Sequence, residues 1–307
     1  MTISPPNLTL LEAPRWRDYA LLDSGNGQKL ERFGPYTFIR PEVQAMWSRA
    51  LPARDWQAAH AVFQPSGEES GGRWEFRKKI AETWEMGYAL PSDPSSPGRD
   101  KLRFIVQTTP GRHLGIFPEC ATHWDWMNGL VASARRPVKV LNLFGYTGLA
   151  SLACASAGAQ VTHVDASKKS VAWARANQRL SGLEEASIRW IVDDALKFVQ
   201  REARRGIKYD GIYLDPPKFG RGPKGEVWEV YKSLPELLLA CRAVLSAQPL
   251  FVVLTVYAVK ASALHLAQVL QEVTRGLGGT IDCGELVTRE QSAGRLLSQA
   301  VYARAAW

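Results

Sequence analysis

Four short segments of the chain concentrate residues able to hold one small ligand and present it to a second. Phe144-Gly145-Tyr146-Thr147-Gly148 follows the apolar run 138–143 and opens directly into a helical pattern, the place where an open parallel sheet receives a nucleotide-like ligand. Glycine there lets the backbone approach the ligand closely. The spacing is G-x-x-G and not the G-x-G-x-x-G that admits a pyrophosphate at a helix N-terminus, so a ligand without one is expected. Asp165 lies 20 residues after Gly145 and ends the stretch 161–164, where a carboxylate accepts hydrogen bonds from both ribose hydroxyls. Asp193 and Asp194 close a third stretch; a carboxylate there can accept a hydrogen bond from the exocyclic amine of an adenine, and one of the pair also suits the cap of the next helix. Asp215-Pro216-Pro217-Lys218-Phe219 ends a fourth, its two prolines stopping the strand and displaying a carboxylate and carbonyls at the sheet edge.

Four strand ends around one crevice require strands and helices in alternation. From about residue 121 the pattern supplies them: helix 124–135, strand 138–144, helix 149–157, strand 160–164, helix 168–180, strand 187–192, helix 195–205, strand 211–214, helix 234–245, strand 250–256, helix 263–275, and strands 280–286 and 297–303. The earlier chain has another texture. Residues 16–22 and 29–33 read as strands around the turn Asp23-Ser24-Gly25-Asn26-Gly27, residues 101–108 as a further strand, and Pro110-Gly111 turns the chain into 113–117. Residues 91–98 form a polar, proline-rich loop. The expected division is a β-rich accessory domain over 1–119 and an α/β, Rossmann-like domain over 120–307.

With 307 residues, 46% hydrophobic and 22% charged, the chain can bury a sizeable core and is not of disordered composition. Its four cysteines are far apart with no C-x-x-C pair, against a disulfide framework or a structural zinc site. No apolar run approaches the roughly 20 residues of a membrane span, and MTISPPNLTL lacks the basic start of a signal peptide, so a cytoplasmic protein is expected. The formal charge of +8 divides as +2 over 1–118 and +6 over 119–307. The stretch 197–224, with eight basic residues against three acidic, accounts for most of the latter and suggests a patch for nucleic-acid phosphates.

The ordered motifs F-G-Y-T-G, strand-Asp, D-D-A and D-P-P-K-F resemble those of class I S-adenosylmethionine-dependent methyltransferases, most closely the bacterial ribosomal RNA enzymes that act on cytosine carbon 5 or guanine nitrogen 7. The resemblance runs over about residues 111–260 and includes Gly111-Arg112-His113-Leu114-Gly115-Ile116-Phe117, similar to the family's G-x-x-x-G-x-F. It implies a seven-stranded catalytic sheet, S-adenosylmethionine as cofactor, no metal, and methylation of an RNA base, with ribosomal RNA as the expected partner. Residue by residue, it implies that Gly145, Tyr146, Thr147 and Gly148 cradle the methionine part, that Asp165 with Ala166 holds the ribose, that Asp193 and Asp194 serve the adenine, and that Phe117 closes the pocket. Asp215, Pro216, Pro217 and Lys218 would form the catalytic segment, Asp215 also bordering the cofactor, with Phe219, Arg221 and Lys224 on the substrate side.

Two departures bear on the reaction. Cytosine carbon 5 must be activated by a thiolate adding to the ring, and the family's cysteine follows the fifth strand. Here that stretch reads Leu254-Thr255-Val256-Tyr257-Ala258-Val259, and only Cys120 lies near the expected cleft. Nor does the N-terminal region resemble the PUA module of the cytosine enzymes. In-line transfer to a nitrogen, without a cysteine nucleophile, is therefore expected, with Trp228 as a candidate surface for an unstacked base. The other readings are a methyltransferase for a protein or small molecule, and a non-catalytic RNA-binding protein that retains the fold.

Overall fold

In this computed structural model, residues 7–13, 15–66, 71–91, 101–257 and 259–307 are described; most of the proline-rich loop and Ala258 lie outside them. The elements of the first part are strands β1 (Asn7–Glu12), β2 (Tyr19–Gly25), β3 (Gln28–Phe33) and β4 (Tyr36–Pro41), the short helix α1 (Ala53–Gln57), and strands β5 (Ala61–Pro65), β6 (Gly72–Phe76), β7 (Trp84–Ala89) and β8 (Lys101–Val106). The second part comprises α2 (Ala121–Ser133), β9 (Lys139–Leu143), α3 (Leu149–Ser156), β10 (Gln160–Asp165), α4 (Lys168–Leu180), β11 (Ile188–Val192), α5 (Ala195–Arg204) and β12 (Gly211–Leu214). It continues with the hairpin strands β13 (Phe219–Arg221) and β14 (Val227–Glu229), then α6 (Val230–Val244), β15 (Phe251–Val256), α7 (Ala263–Val273), β16 (Thr280–Arg289) and β17 (Leu296–Ala306).

Strands β12 and β15 are buried along their whole length, as parallel strands covered by helices on both faces must be. The sheet order is β1-β16-β17-β15-β12-β9-β10-β11, with β17 antiparallel to both neighbours and the other pairings parallel. From β9 the chain winds outward through β10 and β11, then returns to the other side of β9 as β12. That reversal opens a crevice at the carboxyl ends of these strands.

The sheet has eight strands instead of the expected seven. Residues Asn7–Glu12, assigned by sequence to the accessory unit, pair in parallel with Asp282–Val287 of β16. Nothing local announces this: the pairing partner is about 275 positions away. Residues 113–117 form no strand but a loop. Helix α6 starts earlier than read because Pro235 sits inside it, a residue that by propensity marks a boundary.

The accessory part holds the five-stranded sheet β2-β3-β4-β5-β6 and the ribbon β7-β8. The turn Asn26-Gly27, both residues at positive φ, closes the β2–β3 hairpin. The two parts share one core in which Phe33, Phe38, Trp84 and Phe104 meet Trp124, Met127 and Leu152. Helix α4 also fastens β8: the Asn177 side-chain carbonyl accepts from the Ile105 N–H at 2.9 Å, and the Trp173 indole donates to the Ile105 carbonyl at 3.1 Å.

Candidate active site

The loop after β9 is held by the end of β10. Phe144 and Tyr146 both adopt left-handed backbone, φ 57° and 49°, a conformation that costs a side-chain-bearing residue about 1 kcal/mol. The Asp165 carboxylate stabilises it: Oδ2 accepts from the Tyr146 N–H and Oδ1 from the Ser167 N–H, each at 2.8 Å. Burial raises the pKa of Asp165, and these two bonds oppose the rise. The glycines have reasons in packing. A Cβ on Gly145 would stand 2.3 Å from the His163 ring, and one on Gly148, at φ 88°, 2.7 Å from the Ala174 methyl. Thr147 is buried, its hydroxyl donating to the Gly115 carbonyl at 2.7 Å, so it ties this loop to the 107–117 segment.

Each aspartate after β11 has a partner in the protein. Asp194 caps α5, accepting from the Lys197 N–H at 2.9 Å. Asp193 accepts from the Asp194 N–H at 2.9 Å and pairs with the Arg201 guanidinium. After β12, Asp215 is different. Its Oδ1 is shielded from solvent and has no hydrogen-bond partner among the described residues. Oδ2 lies 3.8 Å from the Cys120 Sγ, which donates to it. Burial, and after it the Glu119 carboxylate, push Asp215 up to about 7. The Cys120 thiol is pushed well up by burial and by Asp215, which keeps it protonated. Pro217 is fixed from outside: the Trp228 indole donates to its carbonyl at 2.7 Å while packing, tilted by 57°, against Phe144 at 4.8 Å.

These ends converge on a cavity of about 610 Å³. Phe117, Tyr146, Asp165, Ala166, Asp193, Asp194, Asp215, Pro217, Arg221 and Trp228 line it. Gly145, Thr147 and Gly148 border a smaller recess beside it that Cys120 also lines. Among the other sequence-derived candidates, Phe219 is 57% exposed on the hairpin, Lys218 lies with its ammonium 5.5 Å from the Phe219 ring, Lys224 is exposed, and Pro216 is buried. Sequence reasoning missed one whole wall: Gln107–Pro110 and His113 from the loop after β8, Trp173 of α4, and Tyr257 after β15. Trp173, on the predicted helix 168–180, reaches the cavity. Gly115 was a usable signal, because a Cβ there would stand 2.4 Å from the Trp173 ring. Burial and the nearby Arg40 hold the His113 imidazole at about 3, hence neutral.

The basic stretch 197–224 does not form one patch. Helix α5 starts at the cavity and carries Arg204 and Arg205 to the opposite edge of the sheet, where Arg205 pairs with Glu202 at 3.3 Å. Lys197 binds Glu226 at 2.7 Å, and Lys208 donates to the Ala243 carbonyl. Only the hairpin end of the stretch stands at the cavity mouth.

With this geometry the relatives agree. A family model for S-adenosylmethionine-dependent methyltransferases matches residues 41–275. The chain belongs to that family. Over its whole length this methyltransferase is 47% identical to the SAM-dependent methyltransferase of Agrobacterium tumefaciens, whose crystal structure it matches with a TM-score of 0.90 over 96% of that chain. Ribosomal RNA large subunit methyltransferase I of Aeromonas salmonicida is 29% identical over 153 residues, 50% of this chain and 35% of that protein. Ribosomal RNA large subunit methyltransferase K/L of Shewanella frigidimarina is 37% identical over 111 residues, 36% of this chain and 15% of that protein. The methyltransferase thus spans well under half the length of these two relatives. Its cavity suits S-adenosylmethionine in size and chemistry: each Asp165 oxygen keeps a lone pair after its backbone bond, and aromatic rings with a neutral imidazole line the walls. No helix among the described residues is long and apolar enough to cross a membrane.

Proposed function

We propose that this methyltransferase modifies a nitrogen of an RNA base, of ribosomal RNA by the names of its partial relatives, in the cytoplasm and without a covalent enzyme intermediate. The observation that carries the reading is Asp215 Oδ1, a buried carboxyl oxygen with no partner among the described residues, on a side chain that lines the cavity. An amino or ring N–H of an acceptor base would satisfy it, and its affinity for a proton suits it to accept one as the nitrogen is methylated. Asp165 with Ala166 would hold the ribose, Asp194 the adenine amine, and Tyr146 with Phe117 the methionine side. When bound, the cofactor supplies an electrophilic methyl group. Pro216 and Pro217, locked by Trp228, keep the acceptor edge rigid, which matters because in-line transfer depends on alignment. A carbon-5 reaction needs a thiolate, and Cys120, the cysteine beside Asp215, is held as a thiol.

The test is labelled S-adenosylmethionine with ribosomal RNA from a strain lacking the protein, followed by nucleoside analysis. An N-methylated base, with no adduct on RNA containing 5-fluorocytosine, is expected. Label in protein alone, or a trapped adduct lost in Cys120→Ser, would overturn the nitrogen-of-RNA assignment.

A further inference from the structure

Strand β6 is an outer strand of the accessory sheet and, among the described residues, pairs only with β5. It runs into a short basic stretch, Arg73-Trp74-Glu75-Phe76-Arg77-Lys78-Lys79, in which all but Trp74 are exposed. Arg73 and Lys79 have no ion-pair partner among the described residues, and the one acidic member, Glu75, is shared by Arg77 at 3.6 Å and the Gln64 amide at 3.0 Å. Phe76 is 53% exposed in the middle of this positive charge.

Charge on an edge strand has a defensive use, since it discourages pairing with another chain. An exposed phenylalanine at the centre of the charge works against that use. Cations on and just beyond an edge strand, with an exposed ring between them, match a platform for single-stranded nucleic acid, where phosphates meet the cations and a base lies on the ring.

The position of the strand gives this meaning. The Trp74 indole donates to the carbonyls of Thr109 at 2.8 Å and Gly111 at 3.1 Å. Thr109 and Pro110 line the cavity, and the neighbouring Arg112 is exposed. The basic stretch therefore begins one residue from the cavity wall. On the hairpin, the mouth carries a second exposed ring, Phe219, again beside cations, Lys218 and Arg221.

We propose that β6 and Arg112 form an RNA-binding ridge that continues from the cavity mouth, so that an acceptor strand lies across both exposed rings with its target base turned inward. This rests on the RNA reading above. It also assigns the accessory part its role: Arg73, Arg77, Lys79 and Arg112 bind backbone phosphates, and Phe76 stacks a flanking base.

The experiment compares wild type with a variant carrying Arg73→Ala, Arg77→Ala, Lys79→Ala and Arg112→Ala, using a fragment of large-subunit ribosomal RNA. The variant should bind S-adenosylmethionine as wild type does and bind RNA at least tenfold more weakly. It should also show a slope of log affinity on log salt smaller by about 3 to 4, since each of the four phosphate contacts adds roughly 0.7 to 0.9. KM for RNA should rise with kcat little changed, and Phe76→Ser alone should weaken binding roughly fivefold. In wild type, RNA containing 4-thiouridine should crosslink to the peptide holding residues 73–79. Unchanged affinity and slope, or crosslinks confined to the hairpin, would overturn the ridge and leave the RNA reading intact. A wild type that binds no RNA would overturn both.

Discussion

The carboxylates at the two ends of the cavity live in opposite circumstances. Asp165, Asp193 and Asp194 are each held by donors of the protein itself, two backbone N–H groups for the first, an N–H and a guanidinium for the second, a helix N-terminus for the third. Asp215 sits in a drier place with one oxygen unanswered. The end proposed for the cofactor is thus organised by the protein itself, and a ligand there would add bonds to a frame already set. On the proposed reading the acceptor end carries a desolvation cost that protonation or an incoming hydrogen-bond donor removes. That reading builds binding at one end and discrimination at the other.

Removing Asp215 breaks the contrast most directly. Asp215→Ala should lower single-turnover methyl transfer by roughly 1000-fold while S-adenosylmethionine affinity, read by calorimetry, changes by less than about threefold. Equal losses in both would make Asp215 a cofactor ligand and erase the division.

The same residue predicts a gain in stability. Its folded pKa of about 7 lies above the usual unfolded value of roughly 3.9, so it favours the fold fully below about pH 4 and loses that contribution as pH rises to about 7. Asp215→Asn should therefore raise the stability of the free protein by roughly 2 to 3 kcal/mol at pH 8, and by little at pH 4. Urea unfolding at the two pH values measures it; equal effects at both would show that the carboxyl is not strained by burial.

At the other end, Asp165→Ala should weaken S-adenosylmethionine binding at least tenfold, since a charge-assisted hydrogen-bond pair contributes roughly 1.5 to 3 kcal/mol. It also frees the left-handed Tyr146, so a loss of proteolytic protection in the 144–148 loop should accompany it. Asp194→Ala is expected to be milder. Its cap is worth about 1 kcal/mol of thermal stability, and cofactor affinity should fall only a few-fold. Cys120→Ser should do least, leaving turnover within roughly twofold of wild type because no thiolate takes part.

The sequence and structure part company along the same line. Helix α4 was legible to the residue, and β10 and α5 within one, because a 3.6-residue or buried-strand pattern, a Ser167 or Asp194 cap and a following glycine all agree locally. The four strand ends were legible for the same reason, with the sheet's winding bringing them together. What could not be read depends on distant contact. Trp173 and Tyr257 join the cavity only because α4 and the segment after β15 meet the loop that follows β8. Gly145 is glycine because of a histidine on the neighbouring strand. The basic run 197–224 looked like one surface because spacing along the chain says nothing of a helix that carries half of it across the sheet.

The parallel pairing of β1 with β16 bears on how the chain reaches this state. Residues Asn7–Glu12 are synthesised about 275 residues before their partners Asp282–Val287, so this outer edge of the catalytic sheet closes only after both have been made. Contacts so remote in sequence slow the search for the fold, and until they form, the β16 edge is an open ladder able to accept a strand from another chain. Strand Asn7–Glu12 thereby acts as a latch that arrives early in the chain and fastens late, covering an edge that would otherwise accept a strand from another copy.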